Sequence, residues 1–171
     1  AGASASIDVS ISASVTGSFL ASGDVGDLTV GDVSVIALTS ASVSMTFNMN
    51  AGTSGGDVGD LTVGNVTVDV GDFSDINLYF FHSATSGTGG NVSVGDITVT
   101  MGDGTTTDTA KLDLDVSSSA ASGLGDLAVG DITLAGGDFV DLSMEILHSV
   151  SSGDLGTLTV GDISADAGIS A

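Results

Sequence analysis

Hydrophobic positions in this chain alternate with small polar ones in short runs, and two kinds of run take turns along its length. The first, segment A, reads Leu28-Thr29-Val30-Gly31-Asp32-Val33-Ser34-Val35 and recurs as far as Leu158-Thr159-Val160-Gly161-Asp162-Ile163-Ser164. The second, segment B, reads Val43-Ser44-Met45-Thr46-Phe47-Asn48-Met49, then Ile76-Asn77-Leu78-Tyr79-Phe80-Phe81-His82, Leu112-Asp113-Leu114-Asp115-Val116 and Leu142-Ser143-Met144-Glu145-Ile146-Leu147-His148. A period of two over such lengths predicts half-buried strands. Within A the inward phase moves from Leu28 and Val30 to Val33 and Val35 across Gly31-Asp32, a shift that a corner or a bulge would produce.

The runs belong to a repeat. Val-Gly-Asp or Val-Gly-Asn occurs at Val30, Val63, Val94, Val129 and Val160, with spacings of 33, 31, 35 and 31 residues, and self-similarity of this period marks repeat architectures. Residues 64–87 also align without a gap onto 130–153, matching Gly71-Asp72-Phe73 to Gly137-Asp138-Phe139 and His82-Ser83 to His148-Ser149, so two repeats were duplicated as a pair. The expected fold is all-β: a β-solenoid of about five repeats of about 33 residues, one coil each. Gly-Asp would sit at a corner, Gly taking a positive φ and Asp closing an Asx-turn. The alternative is an antiparallel barrel or sandwich of about ten strands, for which Met101-Gly102-Asp103-Gly104 supplies a hairpin signal. Residues 1–171 read as a single domain: 1–22 an N-terminal strand and candidate donor or joint segment, 23–153 four A-B repeats, and 154–171 a C-terminal half-repeat. The Gly- and Ser-rich stretches between B and the next A, such as 117–123, recur at one phase and read as turns.

Composition narrows the partners. Against 22 acidic residues stands one base, Lys111, and the formal charge of −21 excludes nucleic acid and anionic membrane surfaces, which need a basic footprint. Scarce Glu and Lys and the lack of Gln and Arg argue against helix. With no Pro and no Cys, nothing interrupts a backbone ladder and no disulfide or thiolate metal site supports the fold. No apolar segment approaches the roughly 20 residues of a membrane helix, so membrane insertion is not expected. The run Ala1-Gly2-Ala3-Ser4-Ala5-Ser6 resembles the stretch left beside a secretory cleavage site and predicts an extracellular or cell-surface protein after signal-peptide removal.

Candidate chemistry is sparse. His82 and His148, each followed by Ser, invite a nucleophile reading, yet no Gly-x-Ser-x-Gly elbow accompanies them, and catalysis is not expected. Two coils apart in a solenoid, about 9 to 10 Å at strand spacing, the histidines could not share one ion. Asp72, Asp75, Asp138 and Asp141 recur as Gly-Asp-Phe-x-Asp, and Asp113 with Asp115 share a strand face beside Lys111; hard oxygen ligands of this kind suit Ca²⁺. Neither an EF-hand loop nor the calcium-binding nonapeptide is present, and Asp at turns and on solvated faces is the plainer reading. No other cofactor is expected. Asn65-Val66-Thr67 and Asn91-Val92-Ser93 match the N-glycosylation acceptor. Thr98-Val99-Thr100 and Thr105-Thr106-Thr107 show the Thr-x-Thr array of ice-binding solenoids without recurring at one phase of every repeat. In these features the chain resembles secreted β-repeat proteins that build filaments, adhesins or matrix, and that architectural resemblance implies an extracellular structural role.

The ends of the pattern suggest how such a role would work. Ile7-Asp8-Val9-Ser10-Ile11-Ser12-Ala13-Ser14-Val15 alternates like a B segment with no A before it, and 158–166 is an A segment with no B after it. One subunit's tail and the next subunit's head would together complete a repeat, and a head-to-tail contact propagates unless it closes. No Pro or Lys guards either end against edge pairing. The expected function is a structural subunit of an extracellular head-to-tail filament, a surface appendage or biofilm matrix fibre, whose partner is itself as a homopolymer. Its joint would use Ile7, Val9, Ile11 and Val15 with Leu158, Val160 and Ile163, by donor-strand insertion or by end stacking. The alternative is a monomeric cation-binding adhesin or ice-binding solenoid module.

Overall fold

The computed structural model describes residues 5–15, 23–37, 40–52, 56–104 and 109–168, and all the regular structure among them is strand. Strands numbered in chain order fall into three sheets of five. The first holds the long strands β1 (Ala5–Val15), β4 (Ala41–Ala51), β7 (Asp75–Ala84), β10 (Ala110–Ala120) and β13 (Val140–Val150), which are the B segments. The two halves of each A segment supply the others. β2 (Leu28–Val30), β5 (Leu61–Val63), β8 (Val92–Val94), β11 (Leu127–Val129) and β14 (Leu158–Val160) form the second sheet. β3 (Val33–Ala37), β6 (Val66–Val70), β9 (Ile97–Met101), β12 (Ile132–Gly136) and β15 (Ile163–Ala167) form the third.

Every strand pair is parallel, so the chain is a β-solenoid in which each coil gives one strand to each sheet. The antiparallel alternative is thereby set aside. Its hairpin signal, Met101-Gly102-Asp103-Gly104, leads out of β9 towards β10 as a corner, where Asp103 Oδ1 accepts a hydrogen bond from Asp138 N of the next coil at 3.0 Å. Gly31-Asp32 is likewise a corner and not a bulge, because β2 and β3 lie in different sheets. Counted with B before A, the strands make five whole coils, and β1 is the first strand of the first coil, not a spare half-repeat. It pairs with β4 of its own chain from Ala5↔Ala41 to Val15↔Ala51.

Period-two alternation now has a physical meaning. Odd-phase residues of β4, from Ala41 to Ala51, are buried and their neighbours point outward, and in-register stacking turns each inward position into an axial rank. Leu61, Val92 and Leu127 make one such rank, and Val66, Ile97 and Ile132 another. Phe47 and Phe80 stack with ring centroids 5.0 Å apart and planes 14° apart, an offset pair inside a dry core. Of the sequence features, residues 1–4, 16–22, 53–55 and Thr105-Thr106-Thr107, with the side chains of Val9 and Val15, lie outside the described residues.

Candidate functional site

The Gly-Asp corners form a set of axial side-chain ladders. Asp32 Oδ1 accepts from the backbone N–H of Asn65 at 2.8 Å, Asn65 Oδ1 from Asp96 at 2.9 Å, Asp96 Oδ1 from Asp131 at 3.0 Å, and Asp131 Oδ1 from Asp162 at 2.9 Å. A second ladder runs from Asp27 through Asp60, Asn91 and Asp126 to Thr157, and a third from Asp72 through Asp103 to Asp138. Asp24, Asp57 and Thr88 make a shorter one. Each accepting Asp or Asn Oδ1 in these ladders thus takes its hydrogen bond from a backbone amide one coil further on, and every ladder has the same direction.

This corrects the expected part played by glycine. Neither Gly31 nor Gly64 has a positive φ; the requirement is for close approach. A Cβ on Gly64 would lie 2.4 Å from Asp32 Oδ1 and 2.8 Å from Asp32 N, so the residue before the receiving amide must leave room for the preceding coil's corner, its side-chain oxygen or its backbone. Asp, correspondingly, reaches along the axis and does not close a turn of its own. The left-handed conformation appears instead at Gly153, with φ 87°, and at Phe73 and Phe139, both with φ 55°, in the duplicated Gly-Asp-Phe motif.

The ladders account for two of the sequence-level candidates. Asp72 and Asp138 occupy one ladder with Asp103 between them, while Asp75 and Asp141 flank Lys111 in register on the outer face of the first sheet. The four are therefore divided between a corner and a sheet face, and among the described residues no three His, Cys, Asp or Glu side chains converge as a metal-binding set. Asn65 and Asn91, the glycosylation candidates, both spend Oδ1 on ladder bonds. Asp57 and Asp126 are held below the ordinary carboxylate range, first by the backbone N–H of Thr88 and of Thr157, then by the hydroxyls of those threonines.

His82 and His148 face the interior two coils apart, with Ser118 in register between them. His82 is 1% exposed; its Nε2 lies 2.8 Å from the Gly59 carbonyl and its Nδ1 3.3 Å from Ser118 Oγ. Gly89 makes the room, since a Cβ there would stand 3.0 Å from the imidazole. Burial lowers the His82 pKa, the Gly59 carbonyl opposing it. Solvent does not reach this His-Ser pair, so its geometry is that of a hydrogen-bonded core contact. Both nitrogens of His148 are buried with no hydrogen-bond partner among the described residues.

On the outer face of the first sheet a shallow groove of about 410 Å³ runs past Asp75, Lys111, Asp113 and Asp141. Beside it Asp115, in register with Glu145, has its pKa raised by burial and then by the Glu145 and Asp113 charges. Tyr79 stacks on Phe81 and its hydroxyl lies 3.3 Å from Asp113 Oδ2. On the third sheet, Ser34, Thr67, Thr98, Thr133 and Ser164 make one outward hydroxyl rank, but the next rank is Ile36, Asp69, Thr100, Ala135 and Asp166. A flat two-rank threonine array is not formed there.

The end coils differ from all of this. Leu158 is 48% exposed where Leu127 beneath it is 0%, and Ile163 is 51% exposed where Ile132 is 0%. At the other end Ile7, Ile11, Leu28, Val30 and Val33 are only partly buried. Of the expected joint residues, Ile7 and Ile11 thus lie on the first coil and Leu158, Val160 and Ile163 on the last, while Val9 and Val15 are placed on β1 by backbone alone. The two groups sit at opposite ends of the solenoid.

No protein-family model, curated protein or solved structure matches this chain. The site has to be read from its own geometry. What sequence reasoning missed is the ladder set, and the signal was present: Gly immediately precedes Asp or Asn at Asp24, Asp27, Asp32, Asp57, Asp60, Asn65 and Asp72 and again in later repeats, at several phases of the repeat where one corner would need only one.

Proposed function

We propose that the chain is a structural subunit that stacks end to end into a homopolymeric filament, of the kind that serves as a surface appendage or matrix fibre outside the cell. The observation carrying this reading is the open apolar end: Leu155, Leu158 and Ile163 are each about half exposed although their rank-mates Leu124, Leu127 and Ile132 are buried. Solenoids that remain single normally close such ends with a polar capping repeat. Fully burying a large aliphatic side chain is worth about 1.5–3 kcal/mol, so completing the burial of half-exposed ones on two facing coils supplies several kcal/mol, besides the unpaired strand edges of three sheets. End stacking is favoured over donor-strand insertion because β1 is already paired along its whole length with β4.

The charge of −21 supports a hydrated, counterion-rich fibre and opposes stacking at low ionic strength. Sedimentation and negative-stain microscopy of the purified chain should show monomers near 10 mM salt and unbranched filaments as NaCl rises towards about 1 M, where the screening length falls to about 3 Å. A chain that stays monomeric over that whole range would overturn the reading.

A further inference from the structure

Gly26 and Gly31 in the first coil keep a glycine that no contact among the described residues requires. At Gly64 a Cβ would strike Asp32 Oδ1 of the preceding coil at 2.4 Å, and at Gly59 it would strike Asp27 Oδ1 at 2.4 Å. At Gly26 and Gly31 the same construction meets nothing within 4 Å among the described residues, and neither has a positive φ. Their slots open along the axis, on the side where a preceding coil would lie. At the far end, the ladders finish among the described residues on Thr157 and Asp162, whose amides are satisfied from below by Asp126 and Asp131 and above which no further described coil lies. The strands there match those of the first coil in length: β13 and β1 have 11 residues, β14 and β2 have 3, β15 and β3 have 5.

We propose that the axial ladder continues from one copy into the next, with Asp162 Oδ1 of one copy lying in the slot over Gly31 of the following copy and accepting the Asp32 N–H, and with Thr157 over Gly26. The inference rests on the filament reading and adds the register and polarity of its joint. Leu158 then meets Leu28, Val160 meets Val30 and Ile163 meets Val33, continuing the ranks seen inside the subunit. The second copy is the fitting occupant because the slot, its depth and the amide beyond it reproduce what Asp32 finds at Gly64 and Asn65. Charge alone would not select this contact, since Asp162 brings a carboxylate towards an acidic neighbour; the amide and the missing Cβ do.

The test uses the full chain and three variants, read by light scattering and electron microscopy. Gly31→Ala should fold with unchanged stability, no described residue of the single subunit entering its slot, and should slow filament growth at least about tenfold. Its last coil is intact, so small amounts added to growing wild-type filaments should block one end and leave the other elongating. Asp162→Asn should assemble like wild type, as Asn65 and Asn91 already serve as ladder acceptors. Asp162→Ala should assemble more slowly despite carrying one negative charge fewer, the opposite of a charge effect. Filaments from Gly31→Ala at the wild-type rate would overturn this joint and leave the filament reading standing; a wild-type chain that forms no filaments would overturn both.

Discussion

Leu127 and Leu158 stand in the same rank on consecutive coils, and one is fully buried while the other is half exposed. Ile132 and Ile163 repeat the contrast in the third sheet, and Leu124 and Leu155, 6% and 49% exposed, repeat it on the bridge between the first and second sheets. Leu155, Leu158, Val160 and Ile163 are of the same residue types as their rank-mates one coil below, although Thr157 stands where Asp27, Asp60, Asn91 and Asp126 do and Ala165 where Val35, Val68, Val99 and Leu134 do. Alternation along a strand decides which side chains point inward, but burial in a solenoid is completed only by a coil above and a coil below. At Leu155, Leu158 and Ile163 the last coil has the large inward side chains of a middle coil with the exposure of an end, so these positions are ones that a further coil would bury.

The largest effect expected from this contrast is on stability. Leu127→Ala should cost about 2–5 kcal/mol, as large-to-small changes in a packed core do, whereas Leu158→Ala should cost well under half as much in the single subunit. Urea unfolding of the two variants under monomeric conditions measures it. Equal losses would mean that the last coil is covered in solution by something within the same subunit.

The glycine slots sharpen the same comparison at the corners. Gly64→Ala forces a methyl group against Asp32 and its amide and should destabilise the subunit by about 1–3 kcal/mol. Gly31→Ala should be neutral there. Thermal unfolding of the two side by side is the check, and a Gly31→Ala loss as large as that of Gly64→Ala would show that the first coil is occupied already.

A smaller, pH-dependent effect is expected at His82. Burial holds the His82 imidazole below its ordinary value of 6.5, so the unfolded chain takes up the proton first. As pH falls below 6.5 the unfolded state binds more protons than the folded one, and stability declines until the lower folded value is passed. Above 6.5 the contribution is fully present. His82→Met should flatten this part of the stability profile while forfeiting the Gly59 contact. His148→Met, which removes two buried nitrogens without partners among the described residues, should raise stability by about 1 kcal/mol. A flat wild-type profile between pH 6.5 and 5 would contradict the His82 account.

The smallest effect is expected at the exposed ladder carboxylates. Asp57, whose pKa is lowered mainly by the Thr88 N–H, contributes stability that is present above the unfolded value of 3.8 and is lost as pH falls through the lower folded value. Asp57→Asn should keep the bond and Asp57→Ala should lose it, giving a slightly lower melting temperature for the alanine variant at neutral pH.

The same comparison marks how far the sequence could be read. The strands, their inward phase and the 66-residue double repeat were legible because alternation and spacing are local. Parallel or antiparallel pairing was not, because Val30 and Val33 alternate alike in either sheet, and Asp-Gly at residues 103–104 signals a hairpin unless its neighbours are known. The function of Gly31-Asp32 was misread for a related reason. Its partners, Asn65 N and the carboxylate slot at Gly64, lie one coil away, and a motif read within its own loop resembles a turn. His82 and Gly89 show the same limit: a lone glycine in a rank otherwise made of Val25, Val58, Leu124 and Leu155 makes sense only once the imidazole is seen beside it.

The most direct test of the claim that a further coil buries these end positions is the axial repeat of the assembled protein. Five coils per subunit at a strand spacing of about 4.8 Å give a rise of roughly 24 Å. Fibre diffraction or helical reconstruction should therefore show a strong reflection near 4.8 Å together with a subunit rise close to 24 Å, with no gap in the stacking at the joint. A filament whose rise per subunit is several ångströms longer, or a particle that remains one subunit long at every salt concentration, would contradict it.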